Sequence, residues 1–182
     1  MRFRQNDILV LVVLGLVLAV CSYVVYSLYQ SRSIDSVASD VLVEEVTFDD
    51  FETLNGEPFN LNAFSGSVRV VSSWASWCPS CGRQLAALSE ASAQFPEVVT
   101  VAINRGEQGN IVRRYTNQLP ELSDMYVVLD NKDVYYKAIG GYTMPETIVY
   151  GPAGEVIFHK RGEISKEELE FYMEKASKKI TN

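Results

Sequence analysis

The sequence predicts an α/β domain, a central mixed sheet flanked by helices, preceded by one membrane-spanning helix. Three observations support this architecture. A long uncharged apolar run stands near the N-terminus, short β-rich runs alternate with helical patterns in the remainder, and a strand hairpin and a helix end the chain. Alternation of this kind is typical of a sheet covered by helices.

The apolar run from Ile8 to Leu28 spans 21 residues without a charge. At about 1.5 Å per helical residue it reaches roughly 30 Å, the thickness of a bilayer core. Arg2 and Arg4 precede the run and only Arg32 follows closely, which places the N-terminus in the cytoplasm. We expect four segments, namely 1–7 cytoplasmic, 8–29 a transmembrane anchor, 30–45 a linker and 46–182 the folded domain.

Two other interpretations of this N-terminal segment stay open. A cleaved signal peptide would have a shorter apolar run and a small-residue cleavage site, and none follows Cys21. A lipoprotein signal would make Cys21 the lipidated residue, although bulky Val20 precedes it. All three interpretations export the domain. We therefore expect a single-pass protein of the bacterial inner membrane with its domain on the periplasmic side.

The elements of the domain follow from turn residues and apolar periodicity. Asn55-Gly56 predicts a hairpin within Phe48–Ser67. The predicted strands are Val68–Trp74, Val98–Ile103, Met125–Leu129, Thr147–Tyr150 and Glu155–Lys160, with a turn at Gly151–Gly154 between the last two. The predicted helices are Gly82–Phe95, Gln108–Leu119, Asp130–Ile139 and Ser165–Ile180, the last with Ser165 and Glu168 as a capping box.

Composition excludes one class of partner and points to one chemistry. The net charge is −7 without a basic run, so nucleic acid is not an expected partner. Cys78 and Cys81 are separated by two residues, and the predicted exported domain holds no other cysteine. An isolated close pair in an oxidising compartment indicates thiol–disulfide exchange rather than a structural staple.

The cysteine pair lies where a buried strand turns into a helix. The free N–H groups and partial positive charge of a helix N-terminus favour the thiolate. We expect Cys78 to be exposed at the cap, Pro79 to occupy the first helical position and Cys81 to lie beneath Cys78. Cys78 would then attack a substrate disulfide, and Cys81 would resolve the mixed disulfide.

Other chemistries fit the residues less well. A zinc site needs about four ligands, whereas the exported domain offers two cysteines and His159, which we expect to be a partly exposed strand residue. A copper site could combine both thiolates with Met144. A Cys/His hydrolase would need His159 as its base, and nothing in the sequence places it there. We therefore predict neither a metal nor a cofactor.

Three motifs resemble one known family. Residues 73–81 (SWASWCPSC), 54–61 (LNGEPFNL) and 141–147 (GYTMPET) are similar to the active-site signature, N-terminal hairpin and cis-proline loop of the thioredoxin superfamily, in its TlpA/ResA/DsbE-like branch. The similarity covers roughly residues 46–180. It implies a thioredoxin-like fold and a membrane-anchored thiol–disulfide oxidoreductase.

The resemblance also implies roles for particular residues. Cys78 would be the nucleophile, Cys81 the resolving thiol and Pro145 a cis proline packed against the disulfide. The backbone of Met144 would pair with an extended substrate segment. The residues that would wall the site are Trp74, Trp77, Pro79 and Ser80, although ordinary core packing is the alternative for both tryptophans.

Three positions depart from the family pattern. Ser72 stands where thioredoxin has a buried acid, and Gln84 stands where relatives often have a glutamate. Neither can act as a carboxylate base, so we expect proton removal from Cys81 to fall to water or to another acid such as Glu146. Met144 is bulkier and softer than the residue that usually precedes the proline.

The resemblance implies a reductase of disulfides in exported proteins, with apocytochrome c as a substrate and a membrane or extracytoplasmic thiol as electron donor. The direction of exchange depends on the reduction potential, which Pro79 and Ser80 help to set. A disulfide oxidase or isomerase, a copper- or thiol-binding chaperone and a redox-inactive interaction domain are the alternatives.

Overall fold

The structure is a computed structural model that describes residues 14–24, 26, 51–120, 122 and 124–178. The chain divides into two compact units, Met1–Leu42 and Val43–Asn182. In the first unit, residues 14–24 and 26 are helical and exposed. Among the residues described, no helix combines the length and the apolar character needed to cross a bilayer.

The predicted N-terminal organisation falls largely outside the described residues. The anchor predicted at 8–29 extends beyond them at both ends, and the segments 1–7 and 30–45 lie wholly outside. The same holds for the domain boundary predicted at residue 46. These assignments therefore stay predictions.

The second unit contains the folded domain, and its elements follow the predicted order. The strands are β1 (Phe51–Thr53), β2 (Pro58–Phe59), β3 (Arg69–Trp74), β4 (Val99–Arg105), β5 (Tyr126–Asp130), β6 (Glu146–Tyr150) and β7 (Val156–Arg161). The helices are α1 (Cys81–Gln94), α2 (Gly109–Thr116), α3 (Val134–Ala138) and α4 (Lys166–Lys178), with a short 3-10 helix at Leu61–Phe64.

The strands of the described domain form one mixed sheet in the order β2-β1-β5-β4-β3-β6-β7. β3, β4 and β5 are parallel neighbours. β1, β2, β6 and β7 pair antiparallel with their neighbours. The predicted α/β fold with an N-terminal hairpin is thus confirmed, and the hairpin is β1–β2. Because parallel strands end at the same edge, the loops after β3, β4 and β5 meet there.

Each face of the sheet carries its own apolar cluster. On the cysteine face, both cysteines pack with buried residues of α1 and α4, among them Leu85 and Leu169. On the tyrosine face, Tyr135, Tyr136 and Tyr150 pack with residues of the hairpin and of the 3-10 helix. A side chain of the sheet therefore faces one cluster or the other, since successive side chains of a strand point to opposite faces.

The start of the third helix and the cap of the fourth differ from the prediction for local reasons. The third helix begins at Val134 rather than at Asp130, because the Asp130 carboxylate accepts the N–H groups of Val134 (2.9 Å) and Tyr135 (2.8 Å). At α4, Ser165 accepts the N–H of Glu168 at 3.2 Å. The Glu168 carboxylate binds Lys160 at 3.0 Å instead of returning to the cap, so the capping box forms only in part.

Candidate active site

The cysteines lie in the connection between β3 and α1. In the turns of residues 75–80, Cys78 donates its N–H to Ala75 O and Cys81 donates to Cys78 O, each at 3.2 Å. The first bond of the helical series runs from Gln84 N–H to Ser80 O at 3.1 Å. The helix therefore begins at Cys81. The expectation that Cys78 caps the helix and that Pro79 is its first residue is wrong by two residues, because Ser80 is the N-cap and Cys81 the first residue.

Cys78 and Cys81 are joined by a disulfide, with their Cα atoms 5.4 Å apart. Cys81 is fully buried, as expected, but Cys78 exposes only 4% of its surface. The prediction of an exposed Cys78 is thus corrected for the disulfide form, because Cys78 belongs to the core cluster of the cysteine face. The Ser80 hydroxyl oxygen lies 3.7 Å from Cys78 Sγ.

A cavity of about 340 Å³ opens beside Cys78 and gives access to the disulfide. Four of the predicted substrate-binding and wall residues line it, namely Trp77, Pro79, Ser80 and Met144. Sequence reasoning did not select the other lining residues, which are Arg105, Tyr136, Tyr142 and Thr143. Trp77 is 64% exposed and stands at the cavity mouth. Trp74 is fully buried against Tyr115 and does not line the cavity, so core packing explains it.

The loop before β6 forms the opposite wall of the cavity. Its Met144–Pro145 peptide bond is cis, and Pro145 O accepts the N–H of Gly162 at 2.8 Å. The Tyr136 hydroxyl donates to Thr143 O at 2.9 Å. A Cβ on Gly141 would lie 2.5 Å from the Tyr136 ring, so only glycine allows this loop and ring to approach so closely.

Arg105 supplies the charged side of the cavity. Its guanidinium donates two bonds to the Asp133 carboxylate, at 2.9 and 2.5 Å, and stacks 3.6 Å from the Tyr136 ring centroid. It also approaches Met144 Sδ at 3.5 Å. The bonds with Asp133 raise the pKa of Arg105, and burial raises the pKa of Tyr136. Arg105 thus stays a cation, and Tyr136 stays neutral.

A carboxylate that the sequence analysis overlooked holds the cysteine loop. Glu107 follows β4 and accepts the Ser76 N–H at 2.7 Å and the Ser76 hydroxyl at 2.5 Å. It also accepts a bond from Asn104 Nδ2 at 2.7 Å. The available signal was its place just after a buried strand parallel to β3, since loops at that edge gather around the cysteines.

A neutral network lies on the cysteine face, one helical turn after Cys81. The hydroxyl groups of Ser72 and Thr147 are 3.0 Å apart, and Gln84 Nε2 donates to Thr147 Oγ1 at 3.2 Å. Gln84 Oε1 accepts the N–H of Ile164 at 3.0 Å. Ser72 and Gln84, the positions at which the resemblance implied carboxylates, are thus buried neutral groups that both bond to Thr147.

The expected proton relay through Glu146 is corrected by the structure. Thr147 binds Gln84 of α1 on the cysteine face, so its neighbour Glu146 points to the tyrosine face. There Glu146 Oε1 lies 2.5 Å from His159 Nε2 and 3.3 Å from Arg161 Nε. The sheet separates Glu146 from Cys81. His159 is thus engaged away from the cysteines, and the described residues contain no group of three or more His, Cys, Asp or Glu suited to a metal.

Comparison with known proteins places these features in a family. Residues 44–159 match the AhpC/TSA family. The chain is 26% identical over 178 residues to thiol-disulfide oxidoreductase ResA of Bacillus thuringiensis subsp. konkukian, covering 94% of this chain and 98% of the relative. It is 22% identical over 180 residues to the ResA of Geobacillus kaustophilus, covering 96% and 98%.

Two solved structures superpose on most of this chain. DsbF of MTB superposes with a TM-score of 0.65 at 24% identity, covering 71% of this chain and 96% of DsbF. StoA of Bacillus subtilis superposes with a TM-score of 0.55 at 25% identity, covering 68% and 96%.

The neutral surroundings of Cys81 predict how its thiol titrates. In a Cys78→Ala variant, we expect Cys81 to ionise above the ordinary cysteine pKa of about 8.5, because burial without a nearby cation disfavours the thiolate. Alkylation rates measured against pH test this. The matched Cys81→Ala variant should leave a Cys78 that ionises at lower pH. Ionisation of Cys81 near neutrality would contradict the prediction.

The bond from Tyr136 to Thr143 predicts a second effect. Tyr136→Phe removes one hydrogen bond worth about 1 kcal/mol and loosens the loop that carries Met144. We expect kcat/KM for disulfide reduction to fall roughly threefold to tenfold, with an unchanged reduction potential, because the cysteines are not touched. Tyr126→Phe, on an exposed residue at the other end of the sheet, is the control. An unchanged kcat/KM in Tyr136→Phe would refute the role of this bond.

Proposed function

The chain belongs to the AhpC/TSA family of thioredoxin-like proteins, and from this premise we propose that it is a membrane-anchored reductase of disulfides in exported proteins. Its relatives over almost the whole chain are named thiol-disulfide oxidoreductases. The resemblance to the TlpA/ResA/DsbE-like branch is confirmed by these matches. The chain is thus a thiol–disulfide oxidoreductase, and the proposal concerns its direction, substrate and location.

One observation carries the proposal, namely the Cys78–Cys81 disulfide at a cavity large enough for part of a substrate chain. A purely structural disulfide does not require a cavity that opens beside one of its cysteines. The cavity lies next to Cys78, whereas Cys81 is fully buried. This asymmetry supports Cys78 as the nucleophile, which a substrate sulfur would meet first, and Cys81 as the resolving thiol.

The reaction follows from this asymmetry. In the reduced enzyme, the Cys78 thiolate attacks a substrate disulfide, forms a mixed disulfide and releases one substrate thiolate, which takes up a proton. The Cys81 thiolate then attacks Cys78 Sγ and releases the second substrate thiol. The substrate gains two electrons and two protons, and the Cys78–Cys81 pair is oxidised. A membrane or extracytoplasmic dithiol returns the pair to its reduced form.

The substrate class we propose is an extended segment with two nearby cysteines, as in apocytochrome c before haem attachment. The DsbE-like Pro-Glu-Thr string at residues 145–147 supports this choice. The loop before Pro145 would offer the Met144 backbone to such a segment by strand addition. Trp77 and Tyr142, both exposed, would flank the segment on either side of the disulfide.

One observation favours the alternative direction. The Ser80 hydroxyl is 3.7 Å from Cys78 Sγ, and a hydroxyl that donates to a thiolate stabilises the reduced pair. A stabilised reduced form makes a disulfide a stronger oxidant. An oxidase or isomerase is therefore the second candidate function.

The proposed location can be tested by labelling. We place residues 8–29 across the bacterial inner membrane and the domain on its outer side, because of the uncharged run and the preceding Arg2 and Arg4. In spheroplasts that express the full chain with Cys21→Ser, a membrane-impermeant maleimide should label reduced Cys78 without lysis. Cys78→Ser is the control for Cys78 labelling. Labelling that requires lysis would place the domain inside the cell.

The direction can be tested with the full chain purified in detergent. We expect a reduction potential near that of thioredoxin, about −270 mV, rather than near that of DsbA, about −120 mV. The reduced protein should reduce an oxidised Cys-x-x-Cys-His peptide, Cys78→Ser should be inactive, and Cys81→Ser should stop at the mixed disulfide. A potential near −120 mV would favour the oxidase, and stoichiometric Cu(I) binding without turnover would favour the chaperone.

A further inference from the structure

Glu107 brings a negative charge next to the loop that carries Cys78. Its carboxylate accepts three hydrogen bonds, two from Ser76 and one from Asn104. Ser76 lies two residues before Cys78, and the intervening turn is closed by the bond from Cys78 N–H to Ala75 O. Glu107 therefore holds the turn that carries the nucleophile.

The charge of Glu107 is not balanced by its described partners. The three donors that it binds are a backbone amide, a hydroxyl and a side-chain amide, and all of them are neutral. Arg105 is the charged residue of the cavity, but both of its bonds to a carboxylate go to Asp133. A negative charge is thus held against the loop of Cys78, whereas Cys81 lies among neutral groups.

We propose that Glu107 is a positioning residue whose carboxylate disfavours the Cys78 thiolate and so makes the reduced cysteine pair a stronger reductant. This inference rests on the proposed function. The relevant equilibrium is that of the dithiol with oxidised glutathione, in which the pair loses two electrons and two protons and two glutathione thiols form. Destabilising the Cys78 thiolate shifts this equilibrium toward the protein disulfide. Ser80 acts in the opposite sense, by donating to the same sulfur.

The test separates charge from contact with two variants of the full chain. Glu107→Gln removes the charge and can keep all three bonds, since its amide oxygen can accept from Ser76 N–H and Asn104 while its amide nitrogen donates to the Ser76 hydroxyl. Glu107→Asp keeps the charge but is one methylene shorter, so it cannot keep the same contacts. Glu97→Gln is the matched control, because Glu97 is exposed between α1 and β4, at the other end of the sheet.

The measurement is equilibration with glutathione at neutral pH, together with the ultraviolet absorbance of the thiolate against pH. For Glu107→Gln, we expect the equilibrium constant for protein oxidation to fall roughly threefold to tenfold, a rise in potential of about 15–30 mV. The Cys78 thiolate should then form at lower pH. Glu107→Asp and Glu97→Gln should both stay within twofold of the parent protein.

Two results would overturn the inference. One is a Glu107→Gln protein that melts like the parent and keeps its equilibrium constant and thiolate titration. The other is a Glu107→Asp protein that shifts as far as Glu107→Gln, because contacts rather than charge would then set the potential. The parent's own potential tests the proposed direction, whereas only the difference between parent and variants tests Glu107, so the two failures can be told apart.

Discussion

The site depends on the backbone pairing of the central strand β3. This strand is hydrogen-bonded to β4 on one side and to β6 on the other, and it is buried at all six positions. A slip of one residue would turn its core side chains to the wrong face, so the point at which β3 ends is strongly determined. Residues 75–80 then lead into α1, which keeps both cysteines at the edge where the loops after β4 and before β6 also lie.

The sheet divides the charged groups around the cysteines. Cys81 is buried in the apolar cluster of the cysteine face, and the side chains of Ser72, Gln84 and Thr147 on that face are buried and neutral. The acid that follows the cis proline, Glu146, is turned to the tyrosine face and is paired there. Arg105, paired with Asp133, lines the cavity beside Cys78, and Glu107 binds Ser76 of the loop before Cys78. Both groups lie on the side of Cys78, while Cys81 is buried in the apolar cluster of the cysteine face.

Much of the site was predictable from local patterns. The strand before the cysteines, the helix after them and the Met144–Pro145 loop all follow from short stretches of sequence, and the structure contains each of them. The predicted start of α1 was wrong because turn hydrogen bonds compete with helical hydrogen bonds in the residues just before it. The N–H of Cys81 closes a turn onto Cys78 O, which delays the helix and leaves Pro79 outside it. The small exposed fraction of Cys78 results from its packing in the core cluster of the cysteine face. The spacing of the two cysteines in the sequence does not predict that packing.

The sequence by itself determined the chemistry, because a pair of cysteines two residues apart at a strand-to-helix junction is a local property of the chain. Only the tertiary structure decided which groups surround that pair. Glu107 reaches Ser76 across 31 positions of sequence, and Gln84 reaches Thr147 across 63. The face on which Glu146 lies depends on how β6 pairs with β3. Such contacts are set by strand register and helix packing, which bring distant residues together and separate adjacent ones.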